Sequence, residues 1–258
     1  MMIFLIKLLG GPFIIWLASV AGRKWGPAVS GLLGGLPLLA GCIVAALWLD
    51  LGMDYALDTA RAAPSGLLAN SAYMLVMAYA SLYFPWYGML ACGWVAYLLV
   101  ALFVASTGQS HTLEMSLIAL ASLLLGIWII PKPQSPPHIS KLPRSELFAR
   151  MLTGFILVAG LSFASQLLGP SLTGIFAGGP VAAAVIPAFT LANGDRSAVL
   201  MQLRGFLTGL VGFNLCFLIL PPLALKIGAW AVIPAGVCAV LTVYAVNYTI
   251  RFLSQARA

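Results

Sequence analysis

A stretch rich in glycine and proline near the N-terminus recurs 143 residues later, and this recurrence restricts the available folds more than any other feature. Gly26-Pro27-Ala28-Val29-Ser30-Gly31 is followed by Gly34-Gly35-Leu36-Pro37. The later copy reads Gly169-Pro170-Ser171-Leu172-Thr173-Gly174, followed by Ala177-Gly178-Gly179-Pro180. The offset that carries Gly26 onto Gly169 also carries Lys7 onto Arg150, Gly11 onto Gly154 and Pro37 onto Pro180, without a gap. Further along it carries Arg61 onto Arg204, Ser65 onto Thr208 and Gly66 onto Gly209. Composition alone would match leucines and alanines, but not scarce arginines. The chain reads as one unit written twice.

The medium that unit inhabits follows from its side chains. Of the 258 residues 62% are hydrophobic and 7% charged, with a mean hydropathy of +1.05, which leaves too little polar surface for a water-soluble domain. About nine apolar spans can be drawn, near 2–20, 26–49, 62–82, 88–106, 113–130, 147–167, 170–192, 197–220 and 228–250. In lipid the backbone must satisfy its own hydrogen bonds, so an all-α polytopic membrane protein is expected. The one long polar connector runs from Pro131 to Glu146 and reads as an extended, hydrated linker. Met1 to Gly22 resembles a signal peptide, with Ala18-Ser19-Val20-Ala21 mimicking a cleavage site. The pairing of Lys7 and Gly11 with Arg150 and Gly154 instead makes it the first helix of the repeat. Cys42, Cys92, Cys216 and Cys238 all fall in apolar spans, without Cys-x-x-Cys spacing, and read as small buried hydrophobes. The net charge of +7 is dispersed between spans, and no basic stretch interleaves with aromatics in a polar context, so no nucleic-acid partner is expected.

Charge also orients the chain. With the N-terminus outside, the inner face receives Arg23, Lys24, Lys132, Lys141, Arg144, Arg150, Arg196, Arg251 and Arg257, and the outer face only Arg61 and Lys226. The expected arrangement is a multi-pass protein of the bacterial inner (cytoplasmic) membrane, N-terminus outside and C-terminus cytoplasmic. Residues 1–106 would form a first four-helix repeat. Residues 107–146 would supply a linker helix and the proline-rich cytoplasmic loop, and 147–258 the second repeat. Because the linker helix is a single span, it turns the second copy over, giving two inverted repeats with an interface near the midplane.

The four-helix unit, with Gly34-Gly35-Leu36-Pro37 in its second helix and Ala60-Arg61 through Gly66 entering its third, resembles the GlpM-type small four-helix proteins of bacterial inner membranes. Gly178-Gly179-Pro180 and Leu203-Arg204 through Gly209 are the counterparts in the second half, so the resemblance covers about 60 residues of each half. The chain departs from that pattern after the second helix, where Leu51-Gly52-Met53-Asp54 stands in place of an acidic-arginine-glycine step. The resemblance implies an inner-membrane protein whose single-copy relatives pair antiparallel. It implies no substrate.

The polar residues inside the spans are the candidates for chemistry. Pro37 and Pro180, beside Gly35 and Gly178, are expected to break their helices and expose helix ends that can hold an anion. Packing kinks are the plainer reading. Arg61 and Arg204 are expected to contact solute, since a guanidinium at membrane depth needs a partner or a wet cavity, and the plainer reading is an interfacial anchor. Ser65 and Thr208 lie one turn deeper on the same faces, and either contact solute or bond back to their own helices. Asn70 and Asn214 lie deeper still, where interhelical bonding is the commoner role. Asp50, Asp54 and Asp58 share a helical face and either take up a coupling ion or form a solvated outer segment. Tyr73, Tyr79 and Tyr244 lie within spans where they could line a cavity, and aromatics such as Trp25, Trp128 and Trp230 suit interfacial belts.

No zinc, nucleophile-elbow, phosphate-loop or dinucleotide motif appears, so no cofactor, metal or enzyme activity is expected. The expected function is secondary transport, by alternating access, of a small anionic or amphipathic solute, including a lipid-linked one. The alternative is a non-transporting accessory protein of envelope polysaccharide or lipid synthesis. Expected partners are membrane lipids and the small-molecule substrate, and a homodimer is left open.

Overall fold

A computed structural model describes residues 2–38, 52–106, 112–133, 145–156 and 179–255, with single positions 40, 41, 44, 48, 49, 135, 136 and 159. Helix is the only regular structure among the described residues. In chain order the helices are α1 (Met2–Trp25), α2 (Pro27–Gly35), α3 (Met53–Tyr83), α4 (Trp86–Ser106) and α5 (Thr112–Ile129). A helical segment at 145–156 follows, then α6 (Val181–Ala192), α7 (Arg196–Ile227) and α8 (Val232–Gln255), the last two joined by a short 3-10 turn. Trp86–Ser106, Thr112–Ile129 and the stretch Arg196–Thr249 are long and apolar enough to cross a membrane.

Local chemistry sets the helix ends that matter for the cavity described below. Gly26 (φ 97°) turns the chain between α1 and α2, in a conformation side chains rarely adopt, and Pro27 starts α2 with a ring already set at helical φ. α2 stops after nine residues because Leu36 precedes proline and is driven to extended backbone (φ −67°, ψ 153°). The break expected at Pro37 therefore falls one residue earlier. α7 opens with a side-chain cap, the Asp195 carboxylate accepting from the Ala198 N–H at 2.8 Å.

Two helices run longer than their apolar pattern predicts. α3 begins at Met53 rather than near 62, because its first turns carry Asp54, Asp58 and Arg61, which a hydropathy window leaves out. α7 continues through Pro221 and Pro222 to Ile227.

α7 is the axis of the bundle. It packs against α2, α3, α5, α6 and α8, and Leu203, Phe206, Leu207 and Phe217 on it are almost wholly buried. The outward faces of α4, α5 and α8 are apolar, with Phe103, Trp128 and Tyr244 each more than two thirds exposed. In water that surface would drive aggregation, and it matches lipid instead. Between helices in lipid there is no water to release, so close packing and interhelical hydrogen bonds hold the bundle together.

The tightest contact is between α2 and α7. A Cβ added to Gly31 would overlap the Gln202 carbonyl oxygen, and one on Gly35 the Phe206 carbonyl oxygen. From the other side, a Cβ on Gly205 would strike the Ala28 carbonyl oxygen, and one on Gly209 the Leu32 carbonyl oxygen. Glycines four apart on both helices thus let backbone lie on backbone. This contact joins the first copy of the duplicated sequence to the second.

α5 lies against both α3 and α7. Ser71 on α3 donates to the Ser122 carbonyl at 3.0 Å. Asn214 on α7 donates to the Ser116 carbonyl at 2.9 Å and accepts from the Ser116 hydroxyl at 3.1 Å. Ser71 and Asn214 stand 143 positions apart, so equivalent sites in the two copies both bond α5.

Candidate functional site

Where α1, α2, α6 and α7 converge with the 145–156 segment, they enclose a cavity of about 510 Å³ at the end of the bundle that carries Arg23, Arg150 and Arg196. Its rim is exposed and formed by Arg23, the turn Asn193-Gly194-Asp195 and Arg196. Gly194 (φ 84°) makes that turn possible. Ser135, from the proline-rich connector, reaches the same rim and shares a 2.8 Å hydrogen bond with Ser197.

The floor is buried and polar. Ser19 and Ser30 face it from α1 and α2, which approach so closely that a Cβ on Gly22 would stand 2.7 Å from the Ser30 Cβ. From the other side Gln202 donates through Nε2 to Thr190 Oγ1 at 3.0 Å, and Thr190 in turn donates to the Ile186 carbonyl at 2.9 Å. Thr190 has one proton and it is committed to Ile186, so only the amide nitrogen of Gln202 can face it. The Gln202 carbonyl oxygen is thereby the end of the amide turned away from Thr190. Among the described residues, Ser19 Oγ, Ser30 Oγ and Gln202 Oε1 are buried without a hydrogen-bond partner, as are Tyr73 Oη and Arg204 Nε elsewhere. Few such groups occur in a folded protein, and three of them belong to residues that line one cavity.

Arg150 forms one wall and is 5% exposed. Its Nε and Nη2 donate to a single Glu146 oxygen, at 3.1 and 2.6 Å, and the same oxygen accepts from Asn193 Nδ2 at 3.1 Å. The guanidinium also lies over the Phe189 ring, 5.6 Å from its centroid. The carboxylate matches the buried charge and holds the guanidinium in place.

A second, smaller cavity of about 50 Å³ lies at the glycine seam. The end of α2 and the start of α6 meet there, contributing Gly35 and Leu36 and Gly179 and Pro180, with Asn70 beside them.

The other sequence-predicted residues are dispersed. Arg61 is near the start of α3, its side chain 44% exposed and paired with Asp58 at 2.8 Å. Arg204 lines neither of the two cavities, and its Nη2 donates to the Ile130 carbonyl at 2.5 Å. Tyr79 donates to the neighbouring Ile129 carbonyl at 3.2 Å, so both side chains cap the C-terminus of α5. Thr208 bonds back to the Arg204 carbonyl at 2.9 Å, and Ser65 is buried within α3. Asn214 bonds between helices as described, whereas Asn70 donates to Gly66 on its own helix at 3.2 Å. Pro37 follows the α2 break but lines neither cavity. Asp54 and Asp58 are exposed. Tyr73 is buried in an aromatic group with Trp94 and Tyr97, and Tyr244 faces outward. Asp50 and Gly178 lie outside the described residues. Among the described residues, no three His, Cys, Asp or Glu side chains come together to hold a metal.

The residues that build the larger cavity were not singled out as a site by sequence. Ser, Thr and Gln in a helix usually bond their own backbone or a neighbour, so one by one they carry no signal. One signal was present: the repeat pairs Lys7 with Arg150, a basic position in the first helix of each copy. No family model matches the chain, and no curated protein or solved structure matches it.

Proposed function

We propose that the chain is a secondary transporter of the bacterial inner membrane, moving a small anionic or amphipathic solute by alternating access between two inverted four-helix repeats. The observation that carries this is the composition of the 510 Å³ cavity. Ser19, Arg23 and Ser30 come from the first copy of the sequence, and Arg150, Thr190 and Gln202 from the second. Inverted-repeat transporters bind their solutes at the junction of the two copies near the midplane, and this cavity opens into that junction from the basic end of the bundle. Two further features support the reading. The end of α2 and the start of α6 meet at the glycine seam, and α5 is bonded at positions 143 residues apart, Ser71 and Asn214. The basic end would be cytoplasmic, by the excess of Lys and Arg there, so the cavity as described would face inward. Arg150, rather than Arg61 or Arg204, would be the buried cation nearest the solute.

Labelling from each side of the membrane tests it. In a cysteine-free background, Asn193→Cys at the exposed rim of the cavity should react with an impermeant maleimide from the cytoplasmic side. Added solute should lower that reactivity while Asn70→Cys, beyond the breaks, gains reactivity from the outer side. One-sided labelling of both under every condition, with no solute uptake by vesicles, refutes transport. That outcome would favour an accessory role in envelope polysaccharide or lipid synthesis.

A further inference from the structure

We infer that the cavity selects a hydroxylated anion, a small carboxylate or phosphate ester whose hydroxyl group reaches the floor while its charge stays near the arginines. This inference deepens the transport reading and rests on it for the solute's passage, but the binding chemistry is carried by the cavity itself.

The floor asks for a hydrogen-bond donor. The Gln202–Thr190–Ile186 chain leaves Gln202 Oε1 as the free acceptor of a residue that lines the cavity, and among the described residues it accepts from nothing. Ser19 Oγ and Ser30 Oγ, both nine-tenths or more buried, are also without partners, and each can donate or accept. A solute hydroxyl complements this set, since it gives a proton to Gln202 and exchanges bonds with the serines.

The floor also refuses charge. No acid or base is among Ser19, Ser30, Thr190 and Gln202, so an ammonium or carboxylate placed there would be buried unpaired, which is costly. Charge belongs higher up. Arg23, Arg150 and Arg196 line the cavity against Asp195, with Glu146 bonded to Arg150, leaving an excess of one positive charge. An anionic group is therefore favoured on the wall and rim, and a neutral donor below. A volume of about 510 Å³ takes a molecule of this size.

The test is paired binding on the purified full-length protein in detergent, read as the rise in thermal midpoint with ligand concentration. Glycerate is compared with propionate, and ribose 5-phosphate with butyl phosphate, so that each pair differs in hydroxylation and the two pairs separate carboxylate from phosphate. The hydroxylated member of one pair should bind about tenfold tighter than its partner or better, because a site built around hydrogen bonds is left unpaired by the deoxy analogue. Gln202→Met, close in shape but without the acceptor, should reduce that preference to below about threefold while leaving the deoxy probe's affinity unchanged. Ser30→Ala provides the same comparison if the Gln202 variant does not fold. Equal affinity within both pairs overturns the inference, as does no binding by any probe. A preference that survives both substitutions, or alanine binding as tightly as glycerate, also overturns it. Selective binding without uptake into vesicles would leave this site standing and remove transport; saturable uptake with no preference for hydroxyls would do the reverse.

Discussion

The same substitution, glycine to alanine, should have opposite signs at two positions of this bundle. At Gly209 an added Cβ would stand 2.8 Å from both the Cα and the carbonyl carbon of Gly35 and would overlap the Leu32 carbonyl oxygen. These atoms are backbone and cannot rotate away, so α2 and α7 must separate. Reaching ordinary contact requires a shift of about 0.6 Å or more, which on its own forfeits roughly a quarter of the attraction between the facing atoms. Overpacking of this kind costs about 1–3 kcal/mol, and the rigid neighbours put Gly209 at the upper end. Alanine returns about 1 kcal/mol through its helix propensity, leaving a net destabilisation of about 2 kcal/mol. At Gly236 on α8 nothing lies within 4 Å of the added Cβ, so only the propensity remains. Gly236→Ala should therefore stabilise by about 1 kcal/mol. Unfolding by dodecyl sulfate in mixed micelles, followed by circular dichroism, measures both. A gap of about 3 kcal/mol between the two variants is expected. A neutral or stabilising Gly209→Ala would show that the helices do not touch backbone to backbone, and the packing argument for the seam would fail.

Three other substitutions distinguish structural from solute-binding polar groups. Asn214→Ala removes both hydrogen bonds to Ser116 and should cost about 1–2 kcal/mol in the same unfolding assay. A double-mutant cycle with Ser116→Ala should show coupling of at least about 0.5 kcal/mol; strict additivity would mean the bonds contribute nothing. Arg61→Gln breaks a solvent-screened pair with Asp58 and should change stability by no more than about 0.5 kcal/mol. A selective, tenfold loss of vesicle uptake in that variant would return Arg61 to the solute pathway. Arg204→Met strips the donor from the Ile130 carbonyl, so about 1–3 kcal/mol of stability should be lost while uptake per folded molecule stays within about twofold. Normal stability with abolished uptake would refute its role as a cap.

Sequence pattern reached the helical class, apolar segments long enough to cross a membrane and, to within one residue, the break at Pro37, because each depends on a local property: side-chain transfer to lipid, or the steric effect of proline on its neighbour. It raised close helix approach only for the glycines beside Pro37 and Pro180, and did not find that Gly31 and Gly35 face Gly205 and Gly209. It gave no direction to the arginine side chains. Arg61, Arg150 and Arg204 are equivalent as residues on membrane helices, and depth along the helix says nothing about the direction in which a side chain points. Packing turned Arg204 toward the end of α5, left Arg61 with Asp58, and turned Arg150 onto the cavity wall with Glu146.

By itself the sequence determined that this chain is helical and apolar, since hydropathy and proline sterics are recorded in one dimension. Only tertiary structure decided that Ser19, Ser30 and Gln202, far apart in the chain, share one cavity floor with their hydrogen-bonding capacity unspent. The reason is that a hydrogen bond left unmade is a property of what surrounds a group, and those surroundings exist only once the helices have packed.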